Sequence, residues 1–346
     1  MTLGDPGRVT GGYLYHRRVA DAAPDHGAEV RFASVPDRPF PLAAATVPRL
    51  LSEAPPADVL VLDSIAAAPV APWLATRRGG PPVVGSLHQP PGGIDHGPGR
   101  RWLQARLDLL AYRRARLLVV ASDDLADQVA KAGVPRRLLR VVPPGCDVGP
   151  VPPGPAPDLR RGRRIALLSA GNWVARKGAL ELLEAFAPLR GELATLHLVG
   201  DPEAEPAYGR RVRERLARSD LAGRVVVHGV VPSDGMAALY AAADVFALAS
   251  TREPFGTVYA EAMAAGLPVV GWRAGNLPHL AGSGHEGLHV PVGDVPGLSA
   301  ALRRLADDEG LRRRLAEGAR RRAQSFPTWA ESTARFFAVV REAIAS

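Results

Sequence analysis

The sequence has very little cysteine, and this excludes several kinds of site. Its 346 residues include one cysteine, Cys146, which excludes an internal disulfide and any cysteine-rich metal site. No apolar run is long enough to cross a bilayer. The first residues, MTLGDPGRVTGG, lack the basic and apolar pattern of an export signal. We therefore expect a cytoplasmic protein that carries out no thiol redox chemistry.

Lysine and aromatic residues are also scarce. The 43 basic residues include only two lysines, Lys131 and Lys177, and aromatic residues make up 5% of the chain. A net charge of +8 and a pI near 10.3 would suit a nucleic-acid partner, but the bias toward arginine is typical of codon usage. No basic stretch alternates with aromatic residues in the way that stacks bases. We therefore expect no nucleic-acid partner.

The chain is long enough, and apolar enough, for two domains. Its length and its 47% of apolar residues suit two cores of ordinary size. Short β-branched runs alternate with helical patterns, which is typical of parallel sheets. Residues 149–163 are rich in Pro and Gly and predict a linker. We predict an α/β fold with two doubly wound, Rossmann-like domains, residues 1–148 and residues 164–328. The expected strands are AEVRFASV, DVLVLDS, PPVVGSL, ARLLVVAS, RRIALLSA, ATLHLVG, RVVVHG, DVFALAS and LPVVGW.

The two ends of the chain carry further expectations. In residues 329–346, Trp329, Phe336 and Val340 recur near helical spacing. We expect this helix to pack back toward the N-terminal domain as a clasp. At the other end only Met1 to Leu3 precede a glycine-rich loop, so we expect the sequence to begin inside its first strand.

Two carboxylates flank a Pro-Phe-Gly turn in REPFGTVYAEAMAAGLPVV. The preceding strand predicts Glu253 in a loop at a strand's carboxyl end, and the alanine-rich segment closed by Gly266 predicts Glu261 on a helix. Eight helical positions span about 12 Å, so the two glutamates would contact different parts of one long ligand. For an arbitrary glutamate pair, solvation at the surface is the simpler interpretation. The surrounding motif favours binding.

The longer stretch STREPFGTVYAEAMAAGLPVV resembles the signature of the retaining nucleotide-sugar glycosyltransferases of family four. This resemblance implies two domains facing a cleft, the GT-B architecture. It implies that Glu261 binds the ribose hydroxyls and that Glu253 lies near the transferred sugar. It also implies that backbone amides of Phe255, Gly256 and Thr257 face the sugar and phosphate, as amides that open a helix can.

A second block, LSAGNWVARKGALELLEAF, resembles the family's donor-diphosphate segment. A lysine-glycine pair opens a helix there, where a cationic side chain and helix-terminal amides can both meet a phosphate; the lysine is Lys177. In the family an arginine five residues earlier also neutralises the diphosphate. Asn172 stands at that place here, and Arg176 is the residue able to compensate. A solvated lysine is the alternative interpretation, but the scarcity of lysine favours a function.

Three further matches to the family carry weaker signals. The segment VTGGYLYHRRV puts Gly11 and Gly12 before a predicted helix, where small residues let a backbone approach a diphosphate. The segment PPVVGSLHQP ends a strand at His88, which matches the family's histidine near the transferred sugar, although an isolated histidine is more often structural. In the second domain, Gly229 to Val231 match the segment near the base, whose identity the sequence does not encode.

The first domain also contains an arginine-rich helical segment, RRWLQARLDLLAYRRARLL, after a flexible loop. In the family, loops here shape the acceptor pocket. A basic helix is compatible with peripheral contact with an anionic membrane at its inner face, and a solvated arginine face is the simpler alternative. In GNLPHLAG, His279 replaces a glutamate of the family pattern.

The resemblance implies a retaining glycosyltransferase that moves a sugar from a UDP-, GDP- or ADP-sugar to an acceptor hydroxyl of unknown class. No metal-binding cluster is visible in the sequence, so we expect neither a metal nor a cofactor. Two alternatives remain within enzymes: a sugar phosphorylase and a sugar-nucleotide epimerase on the same architecture. Outside enzymes, a catalytically weak nucleotide-sugar-binding protein remains open because of Asn172.

Overall fold

The chain forms two compact units. The computed structural model describes residues 1–5, 11–94, 97–147 and 154–345. One unit consists of Met1–Gly145 together with Pro327–Ser346, and the other of Cys146–Phe326. No helix among the described residues has both the length and the apolar character needed to cross a membrane.

The first unit is a parallel sheet with helices between its strands. Strands β3 to β6 lie side by side in chain order, and β1 pairs with β2. The amide of Asp63 at the end of β3 donates to the carbonyl of Met1 at 3.0 Å, so the two sheets adjoin. With the numbering in chain order, the elements are β1 (Thr2–Leu3), α1 (Gly11–Ala22), β2 (Ser34–Val35), α2 (Leu42–Glu53), β3 (Leu60–Asp63), α3 (Ala67–Thr76), β4 (Val83–Leu87), α4 (Pro98–Tyr112), β5 (Leu117–Val120), α5 (Asp123–Lys131), β6 (Leu139–Val141) and the last helix, α13 (Trp329–Ala345).

The second unit has a six-stranded parallel sheet in the order β12-β11-β10-β7-β8-β9. The strand order reverses between β7 and β10, and ligands of such sheets bind beyond the carboxyl ends of the strands at this point. The elements are β7 (Ile165–Ala170), α6 (Ala179–Phe186), β8 (Ala194–Val199), α7 (Pro206–Leu216), β9 (Val225–Gly229), α8 (Ser233–Ala242), β10 (Val245–Leu248), α9 (Thr257–Ala264), β11 (Val269–Trp272), α10 (Leu277–Leu280), β12 (Gly287–Val290), α11 (Val295–Asp307) and α12 (Glu309–Ala323).

Local sequence explains where several helices begin. The side chains of Ser122, Asp294 and Asp308 cap α5, α11 and α12 by accepting the backbone N–H of the third residue of each helix. The central strands β7 and β8 are buried along their whole length, as expected for parallel strands covered by helices on both faces.

The predicted α/β fold, with two Rossmann-like domains and a last helix packed on the first unit, is confirmed. Helix α13 contacts α1, β4 and β5. The ring of Phe336 lies 6.2 Å from Tyr15 in an edge arrangement, and Phe337 stacks on His26 at 4.8 Å. The guanidinium of Arg116 donates to the carbonyl of Ala343 at 3.1 Å near the end of the helix.

Some expected elements differ in extent. The strand expected over AEVRFASV reduces to Ser34–Val35, because residues 28–33 are mostly exposed and form no ladder. Strands β6 and β12 were not predicted, since each is short and lacks a β-branched run. Of the expected linker at residues 149–163, residues 149–153 lie outside the described residues; the remainder forms no helix or strand.

Candidate functional site

The loops that follow β7 and β10 meet at the point where the strand order reverses. Lys177 comes from the first loop and Glu253 from the second, and Lys177 Nζ lies 2.5 Å from Glu253 Oε1. The two side chains are 15% and 9% exposed. An ion pair this well shielded interacts more strongly than one at the surface, but each partner needs the other to offset its desolvation. The switch point therefore holds a paired cation and anion.

The local sequence places Lys177 at the start of α6. Ala175–Lys177 form one 3-10 turn, and Gly178 then adopts φ +70° before the helix begins. A Cβ atom at Gly178 would lie 2.0 Å from the carbonyl oxygen of Ala249, so only glycine lets the two loops approach. The Lys177 stem lies beside Gly171, with its Cδ atom 3.2 Å from where a Cβ would stand.

Glu253 is buried, and three neighbouring side chains contact one of its carboxylate oxygens. Ser250 Oγ donates to Glu253 Oε1 at 2.7 Å, and Arg176 Nη1 lies 3.7 Å from the same oxygen. Burial alone would raise the pKa of Glu253, but the positive charges of Lys177 and Arg176 outweigh it and lower the pKa below its usual value. The side chain is therefore a carboxylate at neutral pH.

Arg176 contacts the loop after β10, whereas Asn172 contacts the loop after β8. Arg176 Nη1 lies 3.4 Å from the carbonyl of Arg252, and the carbonyl of Arg176 accepts the amide of Thr251 at 2.9 Å. Asn172 Oδ1 accepts the amide of Asp201 at 3.0 Å. The Asn172 side chain thus ties the loop after β7 to the loop after β8.

The Phe255–Gly256–Thr257 segment opens α9, as its sequence predicted. Gly256 has φ +88° and caps the helix, which begins at Thr257. Phe255 is buried, and its carbonyl accepts a hydrogen bond from Asn276 Nδ2 at 2.9 Å. The backbone N–H of Asn276 also donates to the carbonyl of Glu253 at 2.9 Å. The sequence analysis did not identify this asparagine, although its side-chain amide fixes the turn between Glu253 and α9.

Glu261 lies on α9, as predicted, and contacts Tyr240, which the sequence analysis did not identify. The hydroxyl of Tyr240 on α8 donates to Glu261 Oε2 at 3.0 Å. Gly229 ends β9 at the edge of the sheet, and its carbonyl accepts the amide of Gly200 at 2.8 Å. His279 is exposed on α10, and its carbonyl accepts a hydrogen bond from Arg322 at 2.9 Å.

In the first unit, His88 directly follows β4. A Cβ atom at Gly12 would lie 3.7 Å from His88 Cδ2. The centroids of the His88 and Tyr15 rings are 4.7 Å apart. Gly11 and Gly12 are the first two residues of α1 rather than residues before it, a correction to the expected helix start; residues 6–10 of the preceding loop lie outside the described residues. Burial lowers the pKa of His88 to about 3, and the neighbouring His16 acts in the same direction. His88 is therefore neutral at physiological pH.

A buried carboxylate that the sequence analysis missed lies beside His88. Asp63 ends β3, and its Oδ2 atom lies 2.9 Å from Nε2 of His16 on α1. Burial opposes ionisation, but the contact with His16 lowers the pKa of Asp63 to about 2. The position of Asp63 at the carboxyl end of a parallel strand could have identified it as a candidate from the sequence. Its pairing with a histidine on a separate helix could not have been predicted in this way.

The described residues contain no group of three or more His, Cys, Asp or Glu side chains arranged to hold a metal ion. Cys146 is buried, and burial raises the pKa of its thiol, with the charge of Glu261 contributing. Its thiol is thus poorly suited to nucleophilic chemistry.

Two family descriptions match the two parts of the chain. Residues 5–145 match "Glycosyl transferase 4-like domain", and residues 164–308 match "Glycosyl transferases group 1". The chain is 30% identical over 291 residues to D-inositol 3-phosphate glycosyltransferase of Xylanimonas cellulosilytica, covering 78% of this chain and 69% of that protein. It is 36% identical over 253 residues to MMP alpha-(1->4)-mannosyltransferase of Mycolicibacterium hassiacum, covering 71% of this chain and 59% of that protein.

Solved structures show the same fold over nearly the whole chain. HepE of Anabaena, solved in complex with UDP and glucose, aligns with a TM-score of 0.79 and 21% identity over 99% of this chain and 98% of its own. Sucrose-phosphate synthase from Thermosynechococcus elongatus aligns with a TM-score of 0.80 and 20% identity over the same shares. The sequence relatives and the shared fold together show that the chain belongs to the group 1 glycosyltransferases of family four, a retaining family with the GT-B fold.

Proposed function

We propose that the protein is a retaining glycosyltransferase that moves a sugar from a nucleoside-diphosphate sugar to an acceptor hydroxyl. The observation that carries this proposal is the buried Lys177–Glu253 pair at the carboxyl ends of β7 and β10, next to the first turn of α9. A parallel sheet binds ligands at such a point. A partly buried ammonium beside a helix N-terminus suits a diphosphate in particular.

The diphosphate would bind to Lys177 and to the first amides of α9. The lysine ammonium has three N–H donors, so it can keep its contact with Glu253 while it donates to a phosphate oxygen. Arg176, 23% exposed along its side chain, supplies further positive charge. Asn172, with its oxygen already bonded to Asp201, serves as a loop tie and adds no charge.

The nucleoside would be held by Glu261 and by the end of the edge strand β9. The carboxylate of Glu261 would accept hydrogen bonds from the ribose hydroxyls. Gly229 to Val231, at the end of β9, would contact the base. Base and sugar remain open among UDP-, GDP- and ADP-sugars. A solved structure of HepE holds UDP and glucose, and this supports a uridine donor as the first to be tried.

Transfer would follow a front-face route with retention. The bond from the anomeric carbon to the diphosphate oxygen breaks, and a bond to the acceptor oxygen forms on the same face. The acceptor proton passes to the leaving phosphate oxygen. Glu253 is held by Lys177 and Ser250, so its part is to orient the lysine near the transferred sugar rather than to attack. Neutral His88 would hydrogen-bond a sugar hydroxyl.

Leaving-group stabilisation gives this proposal its test. The protein is incubated with UDP-, GDP- and ADP-sugars and an acceptor panel, and release of diphosphate and the anomeric configuration of the product are followed. Lys177→Ala should lose about 1.5 to 3 kcal/mol of transition-state stabilisation, mostly in turnover. Glu261→Ala should chiefly raise the donor Kd. Full turnover in Lys177→Ala, or an inverted product, would contradict the proposal.

The same assay separates the alternatives. Phosphate-dependent cleavage of a disaccharide would identify a sugar phosphorylase, and an epimerised donor formed without acceptor would identify an epimerase. Tight donor binding with no turnover across the acceptor panel would identify a binding protein.

For the acceptor side, the exposed face of α4 supports peripheral contact with an anionic membrane. Trp102 is 60% exposed and Leu103 is 47% exposed. The guanidinium of Arg106 lies 4.3 Å from the Trp102 ring centroid. Exposed apolar side chains beside an arginine suit an interface with anionic lipid. Flotation with phosphatidylcholine vesicles, with and without phosphatidylglycerol, should show binding only to the anionic vesicles and its loss in Trp102→Ser/Leu103→Ser. Equal flotation of the variant would exclude Trp102 and Leu103 as the contact, and no flotation of wild type would leave a solvated arginine face as the interpretation.

A further inference from the structure

A buried tyrosine hydroxyl meets the carboxylate that the proposed function assigns to the ribose. Tyr240 is 1% exposed, yet its hydroxyl donates to Glu261 Oε2 at 3.0 Å. The carbonyl of Val258, one helical turn before Glu261, lies farther from the hydroxyl, at 3.5 Å. The carboxylate is therefore the principal partner of this hydroxyl.

Helix packing fixes the tyrosine before any ligand arrives. The Tyr240 ring packs on Phe246 of β10, with centroids 6.1 Å apart. The ring thus bridges α8 and the strand that leads into the site. Burial, followed by the charge of Glu261, raises the pKa of Tyr240 well above its usual value, so the hydroxyl keeps its proton and remains a donor at every pH of interest.

We propose that Tyr240 is a positioning residue that orients the Glu261 carboxylate toward the two ribose hydroxyls of the donor. The inference rests on the proposed function, because it needs Glu261 to bind ribose. An unrestrained glutamate on a helix samples several rotamers, and each rotamer that is lost on binding weakens the affinity. A rigid, buried donor to one carboxylate oxygen removes part of this cost in advance. Core packing alone would not require the hydroxyl.

The structure supplies a matched control on the same ring cluster. Tyr259, on α9 two residues before Glu261, is also 1% exposed and packs on Phe246 at 5.6 Å. Its hydroxyl donates instead to the carbonyl of Leu248 at 2.6 Å. Tyr259→Phe therefore removes a buried hydroxyl from the same cluster without touching the carboxylate of Glu261.

The experiment compares ribose discrimination in four proteins. Kd values are measured by titration calorimetry for UDP, GDP and ADP and for their dideoxy analogues, which lack both ribose hydroxyls, with wild type, Tyr240→Phe, Tyr259→Phe and Glu261→Ala. The readout is the Kd of the analogue divided by the Kd of the parent nucleotide that binds wild type. A purely structural defect weakens both ligands and leaves this ratio unchanged.

We expect Tyr240→Phe to lower the ratio by about tenfold, the loss of one hydrogen bond to a charged group, with unchanged affinity for the analogue. Tyr259→Phe should keep the wild-type ratio, and Glu261→Ala should bring the ratio close to one. A wild-type ratio in Tyr240→Phe, beside a collapsed ratio in Glu261→Ala, would overturn the inference and leave the proposed function standing. A wild-type ratio in Glu261→Ala, or no diphosphate bound by wild type, would overturn the ribose assignment and the inference with it.

Discussion

At the scale of single residues, the proposed donor site rests on the Lys177–Glu253 pair. The ammonium and the carboxylate are both shielded from water, and Ser250 and Arg176 also contact the carboxylate. In the proposed site, a phosphate that approaches Lys177 would therefore meet a cation that Glu253 already holds in place. Preorganised charge of this kind stabilises a leaving group without reorganisation during the reaction.

The energetic coupling of this pair is the first testable prediction. Lys177→Met leaves the buried Glu253 carboxylate without its main partner, and we expect a loss of about 3 kcal/mol in the free energy of unfolding at neutral pH. The double variant Lys177→Met/Glu253→Gln should recover at least about 1 kcal/mol relative to the sum of the single changes. Urea unfolding gives the free energy of unfolding of wild type, Lys177→Met, Glu253→Gln and the double variant. Additive losses would show that the two side chains are not coupled.

Gly178 tests how closely the two loops approach. Gly178 and Gly223 both have positive φ, +70° and +66°, so alanine at either position costs about 1 to 2 kcal/mol in backbone strain. At Gly178 the added methyl group would also lie 2.0 Å from the carbonyl oxygen of Ala249, whereas nothing lies within 4 Å at Gly223. We expect Gly178→Ala to lower the melting temperature clearly more than Gly223→Ala. Equal shifts would contradict the close packing of α6 on the end of β10.

Residue types and spacing predicted part of the site, but they did not predict which residues contact the motif from other elements. The motif placed Glu253 in a loop and Glu261 on a helix, and both placements are confirmed. The roles of these residues stay predictions. Tyr240 and Asn276 contact this motif from α8 and from the loop before α10. Because such contacts depend on how helices pack, local pattern did not reveal them.

At the scale of elements, α4 holds the loop that follows His88. The amide of Gly92 donates to Asp108 Oδ2 at 2.8 Å, and a Cβ at Gly92 would lie 2.6 Å from the carbonyl of Arg101. Asp108 is 1% exposed. Burial raises its pKa to about 7, and the hydrogen bond from Gly92 only partly opposes this.

Asp108 predicts a dependence of stability on pH. Because the folded-state pKa lies above the unfolded value, the folded chain binds more protons between about pH 4 and pH 7, and its stability falls as pH rises through that window. Each unit by which the pKa is raised corresponds to about 1.4 kcal/mol. Asp108→Asn keeps an acceptor for Gly92 and removes the charge, so it should unfold at higher denaturant concentration than wild type at pH 8 and at nearly the same concentration at pH 4. A pH-independent difference would contradict the raised pKa.

Elements with an extended apolar pattern were predictable, and strands without a β-branched run were not. The apolar strands of the second unit and the last helix were read correctly because their hydrophobic patterns run over a full element. Strands β6 and β12 span three and four residues and owe their ladders to neighbouring strands. The expected strand over AEVRFASV failed because residues 28–33 have little buried surface to pack against.

At the scale of the whole molecule, charge and fold point to different partners. The net charge of +8 is general and favours anions of many kinds, whereas the GT-B fold and the ion pair at the switch point favour one class, a nucleoside diphosphate. A ligand present at a hundred times its Kd stabilises the folded state by about 2.7 kcal/mol. The contribution of Lys177 can be distinguished from that of the overall positive charge. The other lysine, Lys131 on α5, is exposed, so its replacement removes one positive charge away from the proposed site and serves as the control.

The most direct measurement is titration calorimetry of UDP, GDP and ADP into wild type, Lys177→Met and Lys131→Met. We predict that one diphosphate binds wild type, that its Kd rises at least about tenfold in Lys177→Met, as for a lost charged hydrogen bond, and that Lys131→Met matches wild type. Failure of all three diphosphates to bind wild type, or equal affinity in Lys177→Met and Lys131→Met, would contradict a donor site at the Lys177–Glu253 pair.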